Sequence, residues 1–476
     1  MMSLLVYRPN YAVESCDWIL DTILRSRLGI SFDCKDSVDN EFRIELAHDS
    51  CSLESSIYGV GLTLTLPNIF FSNAANAWLE ISSLPLLPLA SWDIVACDLD
   101  ATIVSDTIPV LYGESGFFQD ESGSAHLKLD VFGSAFFMLS RYEEAISTVR
   151  DSHDRFPAKA SIAYKAGFLD RPIIDEYVEI LWAAMQRVWP GLERKQCTYR
   201  TLLSHDVDWP SCNAFHSPLQ VLRSSAGDLL KRGDLVGAIR TPWQWLKSRD
   251  RLHPSDPYNT FEWIMDLSEK HGLTSAFYFI CGNTDPSKDS DYNIEHPAIR
   301  RLLRNIHARG HEIGLHPSYN TYRNQSAIVA EADRLKRVCV DEGIIQAEWG
   351  ARMHFLRWET PVTMHGLVRA GITYDTTLGY ADHAGFRCGT CHEYRAFDPV
   401  SRQVLLNLRL RPLIAMECTI IDERYMGLSV TTDAFEKFIK LKNACRIVSG
   451  DFTLLWHNSQ FASEQKRELY QKILKG

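Results

Sequence analysis

From about Gln196 to the carboxyl terminus, short apolar runs alternate with longer stretches of helical period. Few folds accept that alternation, because strand, helix and strand again is the mark of βα units stacked on a parallel sheet. The first unit opens with Thr201-Leu-Leu-Ser-His-Asp-Val-Asp-Trp-Pro210, an apolar run that meets two carboxylates at its end. A second strand is predicted over Thr274-Ser-Ala-Phe-Tyr-Phe-Ile280, after a helix from Tyr258 to His271 with Gly272 in the C-cap position. An amphipathic helix from His296 to Arg309 closes at Gly310. Further strands are expected at Glu312 to Leu315, Ile372 to Asp375, Leu413 to Cys418 and Phe452 to Trp456. Pro242 and the stretch from Ser248 to Asp256 border an insertion, long enough to lie as a loop over one face.

The region before Lys195 also reads as α/β. Gly59-Val-Gly-Leu-Thr-Leu-Thr-Leu66 alternates with strand period, and Ile173 to Val188 recurs at helical spacing with an acidic start at Asp175 and Glu176. Asp130-Val-Phe-Gly-Ser-Ala-Phe-Phe-Met-Leu139 is apolar all round and then charged at Arg141, Glu143 and Glu144, as expected for a buried helix with a solvated end. Asp151-Ser-His-Asp-Arg-Phe-Pro157, with His153, reads as a surface or interdomain loop. Two domains are expected, 1–195 and 196–476.

Composition excludes several classes. The chain has 476 residues, 45% hydrophobic and 23% charged, with a formal net charge of -10 and no long Lys/Arg block, so a nucleic-acid surface is not expected. No apolar run approaches the roughly 20 residues of a membrane span, since Leu84 to Val104 is broken by Asp93, Asp98 and Asp100. The opening residues lack a basic flank followed by an apolar stretch, which points to a cytoplasmic protein without an export signal. Twelve scattered cysteines then read as reduced core thiols. Cys388-Gly-Thr-Cys391, followed by His392, has no second close cysteine pair and reads as a glycine-containing loop.

Chemistry is concentrated at the strand ends of the second region. Asp206 and Asp208 repel each other unless positive charge lies near, and a divalent metal would supply it, with one carboxylate as ligand and the other as base. In His311-Glu-Ile-Gly-Leu-His316-Pro-Ser-Tyr-Asn320 the two histidines are five apart and point to opposite faces of a strand. His316 is therefore the better ligand, Asn320 is within reach if the chain turns helical, and His311 reads as structural. Gly350-Ala-Arg352-Met-His354-Phe-Leu-Arg357-Trp358 offers guanidinium groups for paired hydrogen bonds and a flat indole for a sugar ring. Arg387 and Glu417 are single candidates for substrate contact. His457, at the end of Thr453-Leu-Leu-Trp-His457, has the proton affinity of a general acid near neutrality.

In order and flavour these motifs resemble the polysaccharide deacetylases, the family 4 carbohydrate esterases. The resemblance rests on Ser204-His-Asp-Val-Asp208, Gly310-His-Glu-Ile-Gly-Leu-His316, Arg352 and Leu455-Trp-His457. It implies a distorted (β/α)7 barrel after an N-terminal α/β domain of the kind that precedes deacetylases in bacterial glycan-assembly proteins. It further implies Asp206 as base, Asp208 and His316 as ligands of a metal, zinc by expectation, His457 as general acid and Arg352 as the group orienting Asp206. Val207 separates the aspartates that are adjacent in the family, so which of the two is the base stays open. The family's second metal histidine is replaced by Asn320, so the third ligand is Asn320, a water or His354. The implied reaction is removal of an N-acetyl group from an amino sugar in surface polysaccharide or lipopolysaccharide assembly. The alternatives are metal-independent hydrolysis of another non-peptide C–N bond, or glycan binding without catalysis.

Overall fold

The structure is a computed structural model that describes residues 3–47, 61–97, 99–231, 233–248 and 250–476. Gly59 and Val60, which begin the first strand expected from the sequence, lie outside the described residues; the strand is Thr63–Pro67. The chain divides into two compact units. One comprises Met1–Arg200, Gly385–Ile414 and Lys440–Phe452, and the other Thr201–Ala384, Ala415–Ile439 and Thr453–Gly476. The amino-terminal segment of the first unit ends at Arg200, and Gly385–Ile414 and Lys440–Phe452 also belong to that unit.

The first unit is built on a six-stranded sheet in the order Phe32–Ser37, Leu4–Pro9, Glu41–Leu46, Thr63–Pro67, Ala125–Leu129 and Gly113–Gln119. Strand alternation buries Phe42, Ile44 and Leu46 from one face of Glu41–Leu46. The helix Val131–Leu139 is buried along its whole length. Its N-cap Asp130 accepts hydrogen bonds from the amides of Gly133, Ile69 and Phe70, which satisfies donors that burial would otherwise strand. Helix Ile173–Val188 matches its expected range.

The charged end of the buried helix is not solvated, contrary to expectation. Arg141 and Glu144 are buried, and Glu144 accepts from Arg141 at 2.8 Å and from Nε and Nη2 of Arg387 at 2.8 and 2.7 Å. The returning segment Gly385–Ile414 brings Arg387, so sequence distance hid the partner. The same segment places Thr390 Oγ1 2.8 Å and the Cys391 amide 2.9 Å from the Asp175 carboxylate.

Strands contributing to the second unit neighbour one another in the order Tyr374–Asp375, Gly350–Ala351, Glu312–His316, Ser275–Ile280, Arg200–Val207 (from Thr201), Asp451–Leu455 (from Thr453) and Ala415–Met416. Pairing is parallel from Tyr374–Asp375 through to Arg200–Val207. Parallel strands need crossovers, which Phe261–Lys270, Pro297–Ala308, Gln325–Asp341 and Val362–Arg369 supply as helices. The architecture is mixed α/β, and among the described residues no pairing joins Tyr374–Asp375 to Ala415–Met416. Gly314 lets two strands and a ring approach closely: a Cβ there would lie 2.3 Å from the Tyr278 ring and 2.8 Å from the Gly350 carbonyl. Tyr278 in turn supports Arg352, whose guanidinium lies 4.9 Å from its ring centre. No helix among the described residues is long and apolar enough to cross a membrane.

The Arg141–Glu144–Arg387 clasp sets a pH dependence. Burial alone would raise the Glu144 pKa, but the two guanidinium groups hold it at about 2, below its ordinary value of 4.5. A folded pKa below the unfolded one gives stability that is present above pH 4.5 and is lost as pH falls toward 2. Glu144→Gln should therefore cost about 3–5 kcal/mol at pH 7 by removing the carboxylate charge that two buried guanidinium groups face. Urea titrations at pH 7 and pH 3 check this: the gap between wild type and variant should narrow at the lower pH.

Candidate active site

Parallel pairing brings the carboxyl ends of successive strands to one edge, and the candidate residues lie there. Asp206 ends its strand fully buried, and Arg352 Nη1 donates to its Oδ1 at 2.8 Å. Arg352 is itself held by the Thr376 carbonyl and by Ser204 Oγ at 2.9 Å, so it presents a fixed charge to Asp206. Burial opposes the charge on Asp206, yet Arg352, His316 and His457 keep its pKa below the usual carboxylate value.

Asp208 is the centre of the cluster. Its Oδ1 lies 3.4 Å from His316 Nε2 and 3.8 Å from His354 Nε2, and its Oδ2 lies 3.6 Å from His457 Nε2. The other nitrogen of each imidazole is engaged: His316 Nδ1 with the Arg352 carbonyl, His354 Nδ1 with Asp289 at 2.9 Å, and His457 Nδ1 with Glu417 at 2.5 Å. Each Nδ1 faces an acceptor and so carries the hydrogen, which turns the Nε2 atoms toward Asp208. Asp208 Oδ1 is buried and has no hydrogen-bond partner among the described residues. A carboxylate oxygen facing two imidazole nitrogens demands positive charge, either as protons or as a cation.

The pKa shifts express the same demand. Burial disfavours charge on Asp208, but His354, His316 and His457 hold its pKa well below the usual range. Burial likewise disfavours imidazolium at His354, and Asp208 with Asp289 reverses this and raises it to about 9. His457 goes well above its ordinary value, against burial, mainly because of Glu417. Asp208, His316 and His354 have the types and spacing of a metal triad, and the unsatisfied Oδ1 fits a divalent cation better than an empty polar pocket. Two other groups of ligand type occur among the described residues, Glu417 with Cys418 and His457, and Asp175 with Cys391 and His392. Asp175 already accepts from Thr390 and Cys391, so it lacks the open valence of Asp208.

The structure brings together Asp206, Asp208, His316, Arg352, His354, Glu417 and His457, and sets the other candidates elsewhere. Asn320 is exposed, donates to the Thr284 carbonyl at 3.1 Å and accepts from Arg357 at 3.1 Å, and His354 rather than Asn320 faces Asp208. The chain does not turn into a long helix after His316, so the reach expected of Asn320 is not realised. Arg357 stacks between Tyr319 and Tyr322 at 4.1 and 3.8 Å. Trp358 is buried and donates to Thr360, so its indole offers no open face to a sugar. Arg387 belongs to the first unit and is committed to Glu144. Glu417 orients His457 instead of facing solvent. His311 accepts from the Ser275 amide at 3.1 Å, in keeping with a structural role.

Two residues were missed. Asp289 fixes His354 and accepts amides from Thr284, Asp285 and Tyr319, but its sequence setting, Asp285-Pro-Ser-Lys-Asp-Ser-Asp291, looks like an ordinary acidic turn. Trp209 follows Asp208 directly in the chain and is 39% exposed, and that adjacency is the signal the sequence offers.

Residues 4–190 match a family model described as a family of unknown function, DUF7033. No curated protein matches the chain. Among solved structures, the chain is similar to a protein named as a polysaccharide deacetylase from Mycobacterium smegmatis, at 15% identity and a TM-score of 0.38, over 59% of this chain and 84% of that one. It is similar to Puue allantoinase at 13% identity and a TM-score of 0.33, over 60% and 85% of the two chains. A protein named as a polysaccharide deacetylase from Pseudomonas aeruginosa PAO1 aligns at 12% identity and a TM-score of 0.33, over 60% and 86%.

The cluster makes a prediction about metal content. After loading with zinc and desalting, elemental analysis should find bound metal sharply reduced in Asp208→Asn, His316→Ala and His354→Ala, and retained in Asn320→Ala. Zinc affinity should also rise between pH 6 and pH 8, with protons released on binding, because cation and imidazolium compete for one site.

Proposed function

We propose that the second unit is a metal-dependent hydrolase that removes an N-acetyl group from an amino sugar of a bacterial surface polysaccharide or lipopolysaccharide. The observation that carries the reading is the unpartnered Asp208 Oδ1 faced by His316 and His354, with a charged Asp206 and a proton-bearing His457 beside it. The order of strand-end motifs supports the acetamido sugar as substrate class. A divalent ion held by Asp208, His316 and His354 would lower the pKa of a bound water and polarise the amide carbonyl.

The protein groups have separable tasks. Arg352 keeps Asp206 ionised and pointed, so Asp206 takes the proton from water as the water oxygen bonds to the amide carbon. Glu417 holds His457 through its backbone and ring nitrogens at 3.0 and 2.5 Å and keeps it protonated. His457 then gives its proton to the nitrogen as the C–N bond breaks, releasing acetate and a free amine. Trp209, the next residue in the chain after Asp208 and 39% exposed, is the aromatic group proposed to stack on a sugar ring.

Asp206→Asn should abolish turnover of an acetamido sugar, by about a thousandfold or more, while metal stays bound; Asp208→Asn should lose both. His457→Ala should lower kcat by about a hundredfold or more with metal retained. Release of free amine, followed with an amine-reactive dye, measures each, and full metal occupancy in Asp208→Asn would overturn the assignment of ligand and base.

A further inference from the structure

Between the strand that carries Asp206 and the next strand, Ser275–Ile280, the chain inserts two helices, Pro218–Lys231 and Leu235–Lys247. Their apolar residues are on the wrong side for a protein in water. Leu219, Leu222, Leu229 and Leu230 of the first helix are exposed, at spacings that put them on one stripe. Leu235, Val236, Ile239, Trp243 and Leu246 of the second form another, with Leu230 at 81%, Ile239 at 75% and Trp243 at 50% exposed. A soluble chain rarely leaves so contiguous an apolar surface without an occupant.

We infer that this helical hairpin docks on an anionic lipid surface. Charge selects the occupant. The chain carries -10 overall, yet the span 218–247 has five basic residues, Arg223, Lys231, Arg232, Arg240 and Lys247, against two acidic ones. Both acids are used internally: Asp228 is buried against Thr241, and Asp234 caps the second helix through the Gly237 amide at 2.8 Å. Arg223, Arg240 and Lys247 remain exposed beside the apolar stripes. A second copy seated on the same face would bring these cations against their own equivalents, with no free hairpin carboxylate to answer them. Anionic headgroups answer both the charge and the apolar stripe, in the manner of amphipathic helices that lie in the plane of a membrane.

The insertion also has a fixed root. Ser211 and the Cys212 amide bond to Asp256 at its two ends, and Asn458, next to His457, holds the Trp209 and Tyr258 carbonyls at 2.9 and 2.8 Å. The hairpin therefore leaves from the strand end that bears Asp206 and Asp208. If the proposed function holds, the sugar would reach the site from a lipid-borne carrier; that consequence rests on the proposed function, whereas docking does not.

Sedimentation of the full chain with vesicles tests docking without any assay of activity, so the two readings fail separately. The protein should pellet with vesicles of equal parts phosphatidylcholine and phosphatidylglycerol, and about tenfold less well with phosphatidylcholine alone. The triple variant Leu230→Glu, Ile239→Glu and Trp243→Glu changes only exposed positions and should melt as wild type does while losing vesicle binding by more than about tenfold. Failure to pellet with the anionic vesicles, equal binding to both kinds, or unchanged binding by the triple variant would overturn the inference. So would a stable dimer in light scattering that the triple variant disperses.

Discussion

Parallel registration of strands is the constraint on which the candidate site depends. Tyr278 pairs with Asp206 and with Gly314, Ile280 with His316, and Leu315 with Ala351, so residues scattered over the chain end at one edge. Arg352 follows that edge by one residue and reaches back to Asp206, while Gly314 leaves room for the Tyr278 ring on which the guanidinium rests. A side chain at position 314 would displace Tyr278, and with it the support of the charge that keeps Asp206 ionised.

Around this frame the energetics are those of concentrated charge. Asp206 and Asp208 are carboxylates in a buried setting, and burial alone would protonate them. Arg352 resolves the problem for Asp206, and the imidazoles of His316, His354 and His457 partly resolve it for Asp208. Each of those rings is aimed by a second group, a carbonyl, Asp289 or Glu417. What the ring ends leave is a carboxylate oxygen without a donor, which is the chemical invitation to a cation.

Strand-end chemistry was legible in the sequence because a buried parallel strand must be apolar until it ends; Asp206, Asp208, His316 and His457 each follow such a run. Arg352 and His354 follow a very short strand, Gly350–Ala351, where the density of polar groups is the legible signal. Asp289 was invisible, since its partner ring is 65 residues away and its own neighbourhood is an acidic turn. Asn320 misled because the expectation of a helical turn after His316 is local, and the structure instead uses the amide to tie Thr284 to Arg357. Arg387 misled for a topological reason. Nothing in a linear reading shows that Gly385–Ile414 returns to the first unit, where two buried charges from distant segments meet.

The central claim is that Asp208, His316 and His354 hold one divalent cation. Anomalous scattering from crystals soaked with zinc, measured on both sides of the zinc absorption edge, tests it most directly. The account predicts a peak bonded to an Asp208 oxygen and to the Nε2 atoms of both histidines. A peak at Asp175, Cys391 and His392 with none at Asp208 would contradict it, and so would zinc coordinated by Asn320 in place of His354.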